Sequence, residues 1–174
     1  TLTISATDLN GALTASTTAA GQTFTVNNTA TLGNTASAIG VADFANARVT
    51  TGNANDVITV AGGAASTGIT VNTQAGADTV ALTLATALSN AGNTYNAGTN
   101  TTGTVDTLSL AYNLAAGSTV DLAALITAGT IAGFEALTIA NPDNGTTTIT
   151  AGTGFTGYNL VAANDGADTV VVNA

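Results

Sequence analysis

The chain has 174 residues, and ten acidic side chains against one basic one give a net charge of −9. Its single cation, Arg48, leaves no basic surface to neutralise phosphates, which argues against nucleic acid as a partner. The lack of His, Cys and Lys removes Ser-His-Asp and Cys-His nucleophiles, Schiff-base lysines, His/Cys zinc sites and P-loop lysines.

Thr, Ala, Gly and Asn account for 111 of the residues, so the apolar signal comes in short bursts of period two. In chain order these are Thr1–Ser5, Thr23–Asn27, Asp56–Ala61, Gly68–Asn72, Thr79–Ala85, Thr107–Ala111, Ala136–Ala140, Thr146–Thr150 and Thr169–Asn173. Each is rich in β-branched residues and alternates Val, Ile or Leu with Thr, Ser or Ala, the chemistry of a strand with one buried face. Gly/Asn clusters such as 52–55 and 141–145 read as turns, because both residues accept positive φ. Asp121–Ala128 followed by Gly129 predicts a short helix with an acidic start and a glycine stop, and Val41–Ala47 is a weaker helix candidate. The scattered Phe and Tyr residues are expected to plug corners and ends of the core. No apolar run reaches the roughly 18 residues of a membrane-spanning helix, so no membrane insertion is expected. No composition break divides the chain, and residues 1–174 read as one all-β domain.

One motif recurs. A glycine-containing turn leads to an Asp two residues before an aliphatic at Asp56/Ile58, Asp78/Val80, Asp106/Leu108 and Asp168/Val170. The spacings between the first three aspartates are 22 and 28 residues, near one coil each if a coil takes about two nine-residue repeats and a loop. The next gap, of 62 residues, has room for coils without the motif, one of them built on Glu135–Ile139. Two aspartates stacked near 5 Å would repel by roughly 3 kcal/mol at an effective dielectric of 20. A hard divalent cation, which takes oxygen ligands from carboxylates and turn carbonyls, would offset that repulsion.

These segments resemble the G-G-x-G-x-D-x-U-x nonapeptide of RTX proteins, and still more its degenerate form in bacterial S-layer proteins and large secreted adhesins. The double-glycine start and strict nine-residue spacing of RTX arrays are missing here. The resemblance implies a right-handed parallel β-helix or β-roll with irregular loops, with an antiparallel β-sandwich as the alternative architecture. It implies calcium, with Asn55, Asp56, Asp78, Asp106, Asp165 and Asp168 as metal ligands and Asn164 beside the last pair. Asp8, Asp43 and Asp121 read as turn or helix-cap residues and Asp143 as part of a tight turn, while Glu135 fits either a ligand or a strand-entry residue.

The function expected is structural rather than enzymatic: a calcium-stabilised, self-assembling domain of a secreted bacterial surface layer or extracellular fibre, cut from a larger protein. Its partners would be further copies of the same protein and, secondarily, cell-surface polysaccharide. A secreted adhesin or ice-binding module, presenting T-x-T units on a flat face, is the alternative. A β-helix hydrolase or lyase is disfavoured, because no acid–base pair of carboxylates is identifiable.

Overall fold

The computed structural model describes residues 2–6, 11–16, 24–28, 37–42, 46–61, 67–99, 103–115, 117–140, 145–161 and 168–173. The described chain is mostly strands in parallel sheets, with two short helices. Sheet A runs in the order β1 (Leu2–Ala6), β3 (Phe24–Asn28), β5 (Arg48–Thr50), β7 (Thr70–Asn72), β9 (Thr94–Asn96) and β12 (Ile131–Ala132). Sheet B starts from β2 (Gly11–Ser16) and continues through β4 (Ser37–Ala42), β6 (Val57–Ala61), β8 (Thr79–Leu82), β10 (Thr107–Leu110), β13 (Ala136–Ala140) and β15 (Gly157–Val161). Sheet C contains β11 (Thr119–Asp121), β14 (Gly145–Thr150) and β16 (Asp168–Asn173). The chain alternates between sheets A and B as far as β10, and each return adds one strand to the growing sheet. Sheet C joins only after β10.

Every registered pairing is parallel, which rules out the antiparallel sandwich for the described strands. Parallel neighbours repeat the same face at the same position, so residues of one kind form straight columns across a sheet. In sheet B, Ile58, Val80, Leu108 and Leu137 share one column, and Val60, Leu82, Leu110 and Ile139 share the next but one. In sheet A, Val49, Val71, Tyr95 and Ile131 do the same. All twelve side chains are buried, and together they make half of the buried core among the described residues. Full burial of each aliphatic side chain contributes about 1.5–3 kcal/mol. The alternating Thr, Ser and Ala positions between them face away from the core and are only partly covered.

All nine predicted bursts become strands, with ends shifted by a residue or two in most cases and more at Thr79–Ala85, whose strand stops at Leu82. The predicted helix forms as α2 (Leu122–Thr127), with the Asp121 carboxylate accepting from the Ala124 N–H at 2.9 Å and Gly129 following at φ 73°. The helix expected at Val41–Ala47 does not start there. Val41 and Ala42 close β4 and pair with Val60 and Ala61, while residues 43–45 lie outside the described set. A second helix, α1 (Thr86–Ser89), was not expected. Asn93 Nδ2 and the Tyr95 hydroxyl both donate to the Ala87 carbonyl, at 3.0 and 2.8 Å, and so satisfy a carbonyl of this single turn from the next strand. No described helix is long and apolar enough to cross a membrane.

Candidate functional site

Sheet B positions the acidic residues. Asp56, Asp78 and Asp106 each immediately precede a strand, so the register that aligns Val57, Thr79, Thr107 and Ala136 also stacks the residues before them. These are Asp56, Asp78, Asp106 and Glu135. The spacings of 22 and 28 residues therefore do correspond to neighbouring strands, and Glu135 is a fourth member of the column.

The column is joined by hydrogen bonds. Asp78 Oδ1 accepts from the Asp56 backbone N–H at 2.7 Å, Asp106 Oδ1 from the Asp78 N–H at 2.7 Å, and Glu135 Oε2 from the Asp106 N–H at 2.9 Å. The backbone ladder continues beside them, with the Thr79 N–H donating to the Asp56 carbonyl and the Thr107 N–H to the Asp78 carbonyl, both at 2.8 Å. Each carboxylate thus satisfies a turn N–H that the strand ladder leaves over. Asn55 does the same one position earlier, its Oδ1 accepting from the Ala77 N–H at 2.8 Å.

Close approach of the turns accounts for the glycine that precedes Asp78. Gly76 sits at φ +141°, and a Cβ there would lie 2.3 Å from the Ala54 carbonyl oxygen and 2.9 Å from Asp78 Oδ1. Neighbouring turns approach so closely that only a residue without a side chain lets the carboxylate reach across.

Burial sets the electrostatics. Asp56, Asp78 and Asp106 are 0–1% exposed. Burial pushes the Asp78 carboxyl up to about 7, and the Asp106 and Asp56 charges add to this; the Asp56 N–H and the Thr73 side chain pull the other way. Asp78 Oδ2 is buried without a hydrogen-bond partner. Arg48, the chain's cation, is exposed on β5 in the other sheet.

The column is a poor fit to calcium, which takes about six to eight oxygens at roughly 2.3–2.6 Å. One oxygen each of Asp78, Asp106 and Glu135 is already committed to a backbone N–H, and the acids succeed one another along the stack instead of converging. Among the described residues, no three His, Cys, Asp or Glu side chains come together around one point. Of the other expected ligands, Asp168 opens β16 in sheet C, in register with Gly145 and away from the column. Asp165 and Asn164 lie outside the described residues, as do Asp8, Asp43 and Asp143.

The described structure also has a cleft of about 430 Å³ between α1, β11 and α2, lined chiefly by Leu88, Tyr112, Val120, Asp121 and Leu125. Burial pushes the Tyr112 hydroxyl up to about 12, and the Asp121 carboxylate is engaged as the α2 cap. The cleft therefore offers apolar surface and little chemistry.

The sequence signal for Glu135 is its offset of 29 residues from Asp106 and the ALTI run that follows it, which make it a candidate for the column without deciding its neighbours. Comparison of the chain with protein-family models, curated proteins and solved structures gives no match in any of the three.

Proposed function

We propose that this chain is a structural module of an extracellular or cell-surface protein layer or fibre, built as a parallel β-solenoid and working by self-assembly. The observation that carries the reading is the use made of the acidic motif. The aspartates that a catalytic or ligand-binding role would leave accessible are buried, and the carboxylates of Asp78, Asp106 and the half-buried Glu135 each accept from the N–H of the preceding turn. Residues spent this way stiffen a stack along its axis. Small side chains on the outer positions of sheet B suit a module that packs against others, and a single exposed cation suits one that ignores nucleic acid.

Secretion, an S-layer-like setting and calcium enter this proposal through the resemblance to RTX and S-layer sequences. One experiment tests the parts separately: negative-stain imaging and sedimentation of the purified chain over a concentration series, in millimolar Ca²⁺ and after exhaustive chelation. Ordered sheets or fibres support the reading, and their loss on chelation supports the calcium requirement. A monomer at every concentration in both conditions overturns self-assembly, and saturable glycan binding by that monomer would favour the adhesin alternative.

A further inference from the structure

The outermost strand of sheet B, β15, carries three exposed apolar side chains: Tyr158 at 44%, Leu160 at 47% and Val161 at 50%. Two of these stand at core positions. Tyr158 is in register with Leu137 and Leu160 with Ile139, and those partners are 0% and 2% exposed. The two apolar columns of sheet B therefore run through to its margin, and no described strand covers them there. Natural edge strands are usually guarded by charge, proline or a bulge. Neither β15 (GYNLV) nor β2 (GALTAS), the strand at the opposite margin, contains a charged residue or a proline.

We infer that β15 pairs in parallel with β2 of a second copy of this chain, so that sheet B continues from one copy into the next. This inference rests on the self-assembly reading above and names its interface. All seven strands of sheet B run in one direction, so its two margins are the two sides of the same parallel ladder, and a strand placed like β2 is what continues β15. Extending the observed register puts Tyr158 beside the partner's Leu13 and Leu160 beside the partner's Ala15, both positions belonging to the apolar columns.

Charge allows the same join. The acidic column reads Gly11, Ser37, Asp56, Asp78, Asp106, Glu135, Thr156 from one margin to the other. Stacking therefore places Thr156 beside the partner's Gly11, neutral against neutral, and keeps every carboxylate of the column inside its own copy. A contact of this kind uses two different surfaces, and because it adds each copy as a continuation of one sheet it yields an open-ended fibre rather than a closed ring.

The sequence contains no cysteine, which makes cross-linking specific. Asn159 and the partner's Thr14 fall opposite each other in the extended register, within the Cα separation of about 4.4–6.8 Å that a disulfide spans. Protein carrying both Asn159→Cys and Thr14→Cys should give a ladder of dimers, trimers and longer species on a non-reducing gel after mild oxidation. Each single variant should remain uncross-linked. Leu160→Lys should raise the concentration for half-assembly at least about tenfold, the effect of roughly 1.4 kcal/mol at one contact. Its circular dichroism and melting should stay near wild type, because the site is half exposed.

A wild-type chain that never assembles sinks the self-assembly reading and this interface with it. Assembly that persists in Leu160→Lys at the wild-type concentration, with no ladder from the double-cysteine protein, overturns this interface alone. A dimer from Asn159→Cys by itself overturns it too, because that product requires β15 to meet β15.

Discussion

Asp78 is a carboxylic acid held out of water. Its carboxyl lies between Asp56 and Asp106 in a buried column, with one oxygen on a backbone N–H and its ionisation pushed up to about 7 by burial. The unfolded chain ionises this group near 3.8. The contribution of Asp78 to stability is therefore fully present below about pH 4 and lost progressively as pH rises to about 7, after which the loss levels off. Melting temperature should fall between about pH 4 and pH 7, the window of that loss, and Asp78→Asn should flatten the fall while keeping the oxygen that accepts from Asp56. A slope unchanged in the variant would assign the pH dependence to other acids. Gly76→Ala makes the complementary test of the turn: a Cβ meeting the Ala54 carbonyl at 2.3 Å should destabilise the fold by about 2–3 kcal/mol in urea unfolding.

At the scale of elements, strands and helices differ in what holds them. The α2 helix has six residues, too few to persist without its ends satisfied. Asp121→Ala removes the acceptor for the Ala124 N–H and should cost about 1 kcal/mol of stability, read from a chemical-denaturation midpoint. A larger loss would mean that Asp121 also supports the adjoining cleft. The strands β5, β7 and β9 have only three residues each and rely on their neighbours. Thr51 Oγ1 donates to the Thr73 carbonyl and Thr73 Oγ1 to the Ala97 carbonyl, each at 3.2 Å, so buried threonines carry the ladder past the strand ends. Threonine is thus more than a strand former here. Its hydroxyl repeats on sheet A the linking role that carboxylates play on sheet B.

For the molecule as a whole, charge opposes what shape favours. A net charge of −9 with a sequence pI near 4.1 makes copies repel at neutral pH, although the margins of sheet B are uncharged. Salt screens that repulsion beyond a Debye length of about 10 Å at 0.1 M. The concentration needed for assembly should therefore fall as ionic strength is raised from about 10 to 150 mM, as followed by light scattering. A rise instead would show that ion pairs, and not apolar strand margins, hold the copies together.

The sequence by itself determined the strand chemistry, the α2 helix with both of its caps, and the spacing of Asp56, Asp78 and Asp106. All of these are local: alternation reports one buried face, a cap lies within four residues of its helix, and a motif repeats wherever the turn repeats. Strands such as Gly11–Ser16 and Ser37–Ala42 escaped notice because alanine and glycine blur the alternation, and Arg48–Thr50 and Thr94–Asn96 are too short to show a period. The tertiary structure alone decided the pairing direction, since a period of two is the same in parallel and antiparallel sheets. It also decided that Glu135 belongs to the column and Asp168 does not, because membership depends on which strands become neighbours through hydrogen bonds between residues 22 to 29 positions apart. The exposure of Tyr158 and Leu160 has the same origin: their pattern is that of core residues, and only the order of strands leaves them at a margin.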